Sequence, residues 1–499
     1  MKQLVESYIN KITMYWLVVY GLILIATVAL VLSAGGVLNI SFVAMATSLT
    51  VLIAVSYGAS RLFAWIFSTK HNRESWAITA LILFFLLLPA RNGRDLLATA
   101  LVAVIAVASK YLLTFRQRHL FNPAAVAVTI SGLIGLAHPG WWVATPYLLP
   151  VVLIVGLLIV WKIRHFTMVT MGIGMAVLTA LVVALINHYP LAEEMSFLFL
   201  SSPIIFAATI MLTEPFTTPP TRKWQLIYAA VVGFLMTCQL ASFLTPELAI
   251  VIGNALVFIV GQKGAVVLEF VGVKPIAPRT VEVVMKPVRR FTFTPGQYLE
   301  LSLPHTDTDA RGMRRTFSIA SGPEDEYVRF GLTVSDPGSS FKRALLNLNK
   351  GAIVRTTRVG GDFILPTNTD VPLLLIAGGI GMTPFRSMLD DLVRRKEARD
   401  IVLVYGARSE EGLVYSELIE SAKKTLKLVC IPVISEATPS WGGEAGIITV
   451  DTITRLVPDS ALRRIYISGP SLMVDGLRAQ LIKSGIKRNH IVKDYFSGY

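Results

Sequence analysis

Cysteine is nearly absent from the 499 residues: Cys238 and Cys430 stand alone, one in each half of the chain. Two thiols cannot supply the four ligands of an ordinary iron–sulfur cluster or of a cysteine-built zinc site, and they exclude a disulfide scaffold. Charge is also scarce, at 16% of residues, while 54% are hydrophobic and the mean hydropathy is +0.61. Such a chain is neither disordered nor a coiled coil. It lacks tandem repeats and low-complexity tracts, and no Gly/Ser-rich linker separates its apolar part from the rest.

What charge there is falls unevenly. Through Lys263 there are 15 Lys+Arg and 7 Asp+Glu, and the remainder holds 31 and 25. The net charge of +14 is thus no sign of a nucleic-acid partner; it divides between an apolar half and a polar half. Ten apolar runs lie at about Met14–Ala34, Val37–Tyr57, Trp76–Ala90, Leu96–Phe115, Pro123–Ala137, Val143–Trp161, Met168–Asn187, Phe197–Leu212, Trp224–Phe243 and Leu248–Val260. Several are short for a full crossing, as tilted or broken helices would be. Basic residues gather in alternate loops: Lys2 and Lys11, Arg61 with Lys70 and Arg73, Arg116 and Arg118, Lys162 and Arg164, Arg222 and Lys223, and Lys263. The opposite loops hold Arg91 and Arg94 with Glu193, Glu194 and Glu247. A multi-pass protein of a bacterial-type inner membrane is expected, with both ends in the cytoplasm. The first apolar run is too long for a signal-peptide core and should remain as a helix.

Beyond Ala265 the texture changes to alternating strands, then to buried strands alternating with helices. The expected architecture has three parts: a transmembrane helical domain over 1–262, an antiparallel β-barrel over 263–368, and a doubly wound α/β domain over 369–499.

Five segments of the polar half carry chemistry. Arg315-Thr316-Phe317-Ser318 combines a guanidinium for a diphosphate, a ring for stacking and a hydroxyl for a heterocycle edge. Ser339-Ser340-Phe341 precedes a short helix, a position equally suited to phosphate oxygens and to plain capping. The strand Leu373–Ala377 runs into Gly378-Gly379-Ile380-Gly381-Met382-Thr383-Pro384, which is not the usual GxGxxG fingerprint. Tyr405-Gly406-Ala407-Arg408-Ser409 and Tyr466-Ile467-Ser468-Gly469-Pro470, with Met473 beyond, are later strand ends. Ligands gather at such ends in doubly wound sheets.

In order and spacing these motifs resemble the ferredoxin-reductase flavoproteins, in which an FAD barrel precedes a pyridine-nucleotide domain. The resemblance implies that Arg315 and Ser339 or Ser340 hold the FAD diphosphate, that Phe317 packs on the isoalloxazine, and that Ser318 meets its reactive edge. Gly378, Gly379, Gly381 and Thr383 would line the nucleotide diphosphate, with Arg408 near the adenosine ribose. Gly469, Pro470 and Met473 would lie beside the nicotinamide, where Ser468 replaces the cysteine of many members. Tyr405–Ser409 looks like the reductase subunit of the sodium-pumping NADH:quinone reductase and favours NADH, although Arg408 and Ser409 could serve the 2′-phosphate of NADPH. The terminal Tyr499 resembles tails that fold over the flavin, and a frayed end is the alternative.

The apolar half has two proline-marked polar breaks, Arg118-His119-Leu120-Phe121-Asn122-Pro123-Ala124 and Thr213-Glu214-Pro215-Phe216-Thr217-Thr218-Pro219, with Lys110 upstream of the first. These resemble the membrane flavoprotein subunits of the sodium-pumping quinone reductase and of Rnf complexes. The resemblance implies a membrane FMN or riboflavin, or a quinone, as electron acceptor, and ion pumping. Those subunits attach FMN to Thr in a Ser-Gly-Ala-Thr-like motif that is missing here; Thr145 in Val143-Ala144-Thr145-Pro146 is the nearest candidate, and an ordinary helix start explains it equally. Two rivals stand beside this oxidoreductase. One is a haem-containing ferric reductase or NADPH oxidase, disfavoured because His71, His119, His138, His165 and His188 fall in loops or at helix ends. The other is a transporter or anchor fused to an independent flavin reductase.

Overall fold

The structure, a computed structural model, describes residues 12–67, 74–115, 118–137, 139–241, 243–260, 266–306, 308–309, 312–334 and 338–496. The chain divides into two compact units, Met1–Gly264 and Ala265–Tyr499.

Each apolar run of the first unit holds a helix, but the helices are unequal. Four are long and apolar enough to cross a membrane: α1 (Met14–Ala34), α2 (Phe42–Ile66), α4 (Gly93–Leu112) and α7 (Phe166–Ile186). A fifth forms if α8 (Leu191–Leu200) and α9 (Ile204–Met211), bent by 50°, count as one span. The remaining helices are α3 (Ser75–Leu86), α5 (Pro123–Leu133), α6 (Leu149–Ile163), α10 (Arg222–Thr237) and α11 (Pro246–Val260). Among the described residues the ten runs thus give four helices, or five, of full spanning length. Local chemistry cuts runs short: Pro203 caps α9 after a break, and Leu87 turns extended where α3 ends. Caps also fix the starts, since Thr13, Ser41, Asn92 and Asn122 each accept a first-turn N–H. The last turns of α9 are π-helical, over Ala207–Met211, next to the second polar break.

Small residues let α7 and α10 approach closely. A Cβ on Gly233 would run into the carbonyl oxygen of Gly172 and lie 3.2 Å from Ala176 N, and one on Gly172 would lie 3.6 Å from Ala229 Cβ. Gly172 and Ala176 thus face Ala229 and Gly233, each pair one turn apart, where the obstacle to a side chain is backbone.

In the second unit, an antiparallel sheet has the order β6-β5-β8-β3-β4-β7. Its strands are β3 (Val266–Ala277), β4 (Thr280–Pro287), β5 (Tyr298–Ser302), β6 (Arg314–Ser318), β7 (Val328–Thr333) and β8 (Ile353–Gly360); β1 and β2 form a two-residue hairpin, Thr114–Phe115 with Arg118–His119, in the first unit. The layer expected as a barrel is this six-stranded sheet, and among the described residues β6 and β7 share no ladder. One backbone bond, Ala320 N to Arg329 O at 2.8 Å, bridges the gap. The short helix α12 (Ser340–Leu346) lies between β7 and β8.

The other sheet is wholly parallel, in the order β12-β11-β10-β9-β13-β14. Its strands are β9 (Leu373–Gly378), β10 (Asp400–Ala407), β11 (Lys427–Ile434), β12 (Glu444–Ala445), β13 (Arg464–Pro470) and β14 (Ile491–Phe496). Central β9 is buried at every position, as its run of Leu373, Leu374, Leu375 and Ile376 requires. Helices α13 (Met382–Arg395), α14 (Ser416–Thr425), α15 (Val450–Leu456) and α16 (Ser471–Lys483) alternate with the strands. Since β10 and β13 flank β9 on opposite sides, the switch point of the winding lies at the carboxyl end of β9.

The α7–α10 seam yields a test. Gly233→Ala should cost about 1–3 kcal/mol, because backbone cannot yield as a side chain can. Thermal unfolding in detergent should show a clear fall in midpoint, while Gly174→Ala, with nothing within 4 Å of its Cβ, should leave it unchanged.

Candidate functional site

At the end of β9 the chain tightens into a 3-10 turn, Gly379–Gly381, and then enters α13. Gly379 has φ +53°, which favours glycine. A Cβ on Gly378 would collide with Met473 Sδ and lie 3.3 Å from Pro470 Cδ, and one on Gly381 would strike Ser468 O and lie 2.7 Å from Gly469 Cα. The ends of β9 and β13 are therefore in contact through bare backbone. Gly378, Gly381, Ser468, Gly469, Pro470 and Met473 are brought together where β9 and β13 end. Thr383 is buried with its hydroxyl turned back on Ile380 O at 2.5 Å, so it serves its own turn. Arg408 follows β10, one strand further out. Tyr499 lies outside the described residues.

The antiparallel sheet presents a second cluster. Arg315 Nη2 donates to Asp309 Oδ1 at 2.8 Å, and its guanidinium stacks 5.5 Å from the Phe341 ring centroid. The other oxygen, Asp309 Oδ2, accepts the backbone N–H of Ser340 at 3.2 Å. One carboxylate thus joins the same cation and amide that the sequence motifs assign to a diphosphate. Ser339 Oγ is buried without a hydrogen-bond partner, and Ser340 Oγ lies 3.0 Å from His305 Nε2. An acidic stand-in and an orphaned hydroxyl side by side fit a site for an anionic group. Phe317 is half-buried, 6.0 Å from the Phe330 ring and 5.9 Å from Phe341, so part of its surface belongs to the core.

Where the two sheets of this unit meet, Ser318 Oγ donates to Asp494 Oδ2 at 3.0 Å. Asp494 is on β14 in register with Ser468 on β13, and Ser468 Oγ is buried with no partner. Asp494 was not singled out from sequence. Its signal in the sequence was faint, a single carboxylate beside Lys493 in the otherwise apolar and aromatic Ile491–Phe496 stretch. Around this junction Arg386 Nη1 donates to Ala320 O at 2.5 Å, Ser387 Oγ to Ser321 O at 2.7 Å, and Arg329 pairs with buried Glu282 at 2.8 Å. Arg386 also lies over the Tyr415 ring, whose phenol is pushed up by burial and then by the Glu282 charge. Cys430 is pushed up to about 11 by burial, which leaves its thiol protonated and unreactive near neutrality.

In the first unit, Glu214 gathers both polar breaks. Its Oε1 lies 3.2 Å from His119 Nε2, and its Oε2 accepts from Asn122 Nδ2 at 2.9 Å and Thr217 Oγ1 at 3.3 Å. Asn254 of α11 accepts the Asn122 N–H at 2.8 Å and approaches Tyr228 OH at 3.3 Å. Lys110 Nζ instead donates to Ser75 O at 2.7 Å and Ser75 Oγ at 2.8 Å. Thr145 Oγ1 is buried and unpartnered, beside a cavity of about 10 Å³. That volume suits one water molecule.

The description "Oxidoreductase NAD-binding domain" matches residues 375–479. The propane 2-monooxygenase reductase component of Mycolicibacterium goodii is 30% identical over 240 residues, 46% of this chain and 67% of that protein. Ferredoxin–NADP reductase B of Sorangium cellulosum is 29% identical over 45% of this chain and 94% of its own length. Flavohemoprotein A of Dictyostelium discoideum is 25% identical over 41% of this chain, which spans only 53% of that relative. These likenesses define an FAD-dependent NAD(P)H oxidoreductase. Its C-terminal region belongs to the ferredoxin–NADP reductase-type FAD/NAD-binding flavoproteins.

The stand-in at Arg315 is testable by FAD titration of the deflavinated protein. Asp309→Asn should tighten FAD binding by about tenfold, because the guanidinium no longer has to leave a carboxylate. Arg315→Ala should weaken it by about 10- to 100-fold through loss of a charge-assisted bond.

Proposed function

We propose that the chain is a membrane-bound flavoprotein that takes hydride from NADH onto FAD and passes electrons to an acceptor in its apolar unit, a quinone or a second flavin. The observation that carries the redox half is the Ser318–Asp494 hydrogen bond, set beside orphaned Ser468 Oγ at the junction of the two sheets. Bound FAD would supply the hydride and electron chemistry. Arg315, Ser339 and the Ser340 amide would hold its diphosphate. Phe317 would cover the ring system with the surface that the core leaves free. The Ser318 hydroxyl would hold a proton at the reactive edge, and Asp494 Oδ2, already in contact with Ser318 Oγ, would exchange it. Gly378–Gly381 and the Ser468–Met473 segment would admit the nicotinamide nucleotide where no side chain intrudes.

The membrane half of the proposal rests on the four long apolar helices, the one-sided basic loops and the Glu214 cluster. An inner-membrane protein with the second unit in the cytoplasm follows from that loop asymmetry. Apolar surface turned outward agrees: Trp65 is 79% exposed and Val43 67%. The Glu214 cluster equally suits a transporter fused to an independent reductase, since broken helices with polar ends frame transport sites too.

Three variants of the full chain test the proposal, and the third separates the two readings of the apolar unit. Ser318→Ala should slow flavin bleaching by NADH about a hundredfold in anaerobic stopped flow, with bound FAD retained, and Asp494→Asn should slow it less. Glu214→Gln should leave bleaching intact but slow reoxidation by a quinone analogue. Unchanged reoxidation in Glu214→Gln would favour the fused transporter or anchor.

A further inference from the structure

The cluster around Arg315 on the antiparallel sheet contains a titratable group that the proposed function leaves unused, the imidazole of His305. His305 follows β5, and its Nδ1 lies 2.8 Å from Leu303 O. A carbonyl oxygen only accepts, so Nδ1 carries a hydrogen and the neutral ring keeps its lone pair at Nε2. That lone pair meets Ser340 Oγ at 3.0 Å. Ser340 is buried, and its Oγ also accepts the backbone N–H of Asp309 at 3.0 Å. A hydroxyl has one hydrogen and two lone pairs. Beside a neutral imidazole the Ser340 hydrogen must point at Nε2, and the hydroxyl has nothing left to donate to an anion. With a proton on Nε2 the bond reverses: Nε2 and the Asp309 N–H both donate to Oγ, and the Ser340 hydrogen is released.

We propose that a proton taken from solvent by His305 Nε2 turns the Ser340 hydroxyl onto the FAD diphosphate, so that flavin binding and proton binding reinforce one another. The inference rests on the diphosphate reading of this cluster given above. Charge supports it as well as the count of hydrogens. Each phosphoryl group of a diphosphate is anionic, whereas Arg315 brings a single cation that Asp309 already matches at 2.8 Å. The imidazolium supplies another, and a hydrogen bond to an ionised acceptor is the stronger kind. The Phe341 ring lies 6.2 Å from the imidazole and 5.5 Å from the guanidinium carbon, which keeps both in one cluster. Among the described residues the other charged groups around His305 are Asp309 in its own loop, Arg315 on β6, and Lys342 and Arg343 on α12. The last two donate to Thr333 O at 2.8 Å and to Gly338 O at 3.2 Å. Carboxylates, guanidinium groups and ammonium groups keep their charge over about pH 5–8, where an imidazole gains or loses its own. A cation gained beside an anion strengthens binding, so FAD affinity rises as pH falls.

Calorimetric titration of FAD into the deflavinated full-length protein, at one pH in buffers of different ionisation enthalpy, counts the protons bound with the flavin. The unfolding midpoint of each flavin-free variant is the control for folding. The wild type should take up about half a proton or more per flavin at about pH 7, and its FAD affinity should rise about tenfold between about pH 8 and about pH 6. His305→Gln, which keeps a hydrogen-bonding side chain without a titrating charge, should abolish the uptake and flatten the profile. Ser340→Ala keeps the backbone amide and removes the hydroxyl. It should weaken FAD about tenfold at about pH 6 and leave affinity unchanged at about pH 8, where the hydroxyl serves the imidazole. Proton uptake that survives in His305→Gln, a wild type that takes up none, or a Ser340→Ala loss that is equal at both pH values overturns the proposal. A wild type that binds no FAD at either pH overturns the diphosphate reading itself, and that outcome is distinguishable from binding without a proton.

Discussion

The close approach of Gly378 and Gly381 to the Ser468–Met473 segment is the constraint on which the C-terminal unit depends. Because those glycines carry no Cβ, β9 and β13 end against one another, and the backbone that follows each strand is free to border a ligand. The same contact sets where β14 lies, since it pairs with β13 over Ile465 to Pro470. Asp494 is delivered to Ser318 only through that chain of registers. A side chain at Gly381 would push β13 outward and, with β14, withdraw the carboxylate from the other sheet.

Electrostatics repeats one device at both ends of this unit. Arg315 is half-buried and satisfied by Asp309, while Arg408 is exposed and satisfied by Glu436. In each case the cation that would meet a phosphate is already paired with a carboxylate from a neighbouring loop. The consequences differ with burial. At Arg315 the carboxylate also takes a backbone amide, so it copies an anion and must be displaced by one. At Arg408 the partner is solvated, and the pair contributes little to the fold.

Much of this was legible before any coordinates. The strand ends with their glycines mark the crevice because glycine after a buried strand has few other reasons to recur three times. The caps Asn92 and Asn122 are visible for the same local reason: an amide side chain before an apolar run satisfies free N–H groups. What was hidden depends on contacts distant in sequence. Ser318 and Asp494 are 176 positions apart, Asn122 and Glu214 are 92, and no local periodicity relates either pair. An apolar run does not by itself make a full span, for a physical reason too. Hydrophobicity reports that a segment is buried, whereas a helix of twelve residues such as Ser75–Leu86, buried along Thr79–Leu86, needs no bilayer to explain its composition.

Thiol scarcity closes the argument about electron flow. Neither cysteine can join a relay: Cys238 is buried among the helices, and the Cys430 thiol is held protonated by its surroundings. Four sulfur ligands are not available within the chain, so a cluster cannot carry electrons between its parts. Under the proposed function, electrons must then leave the flavin edge directly for the next acceptor or for a separate carrier. Under that reading the geometry around Ser318 and Asp494 matters twice, because the groups proposed to exchange the flavin's proton would also border the edge from which its electrons leave.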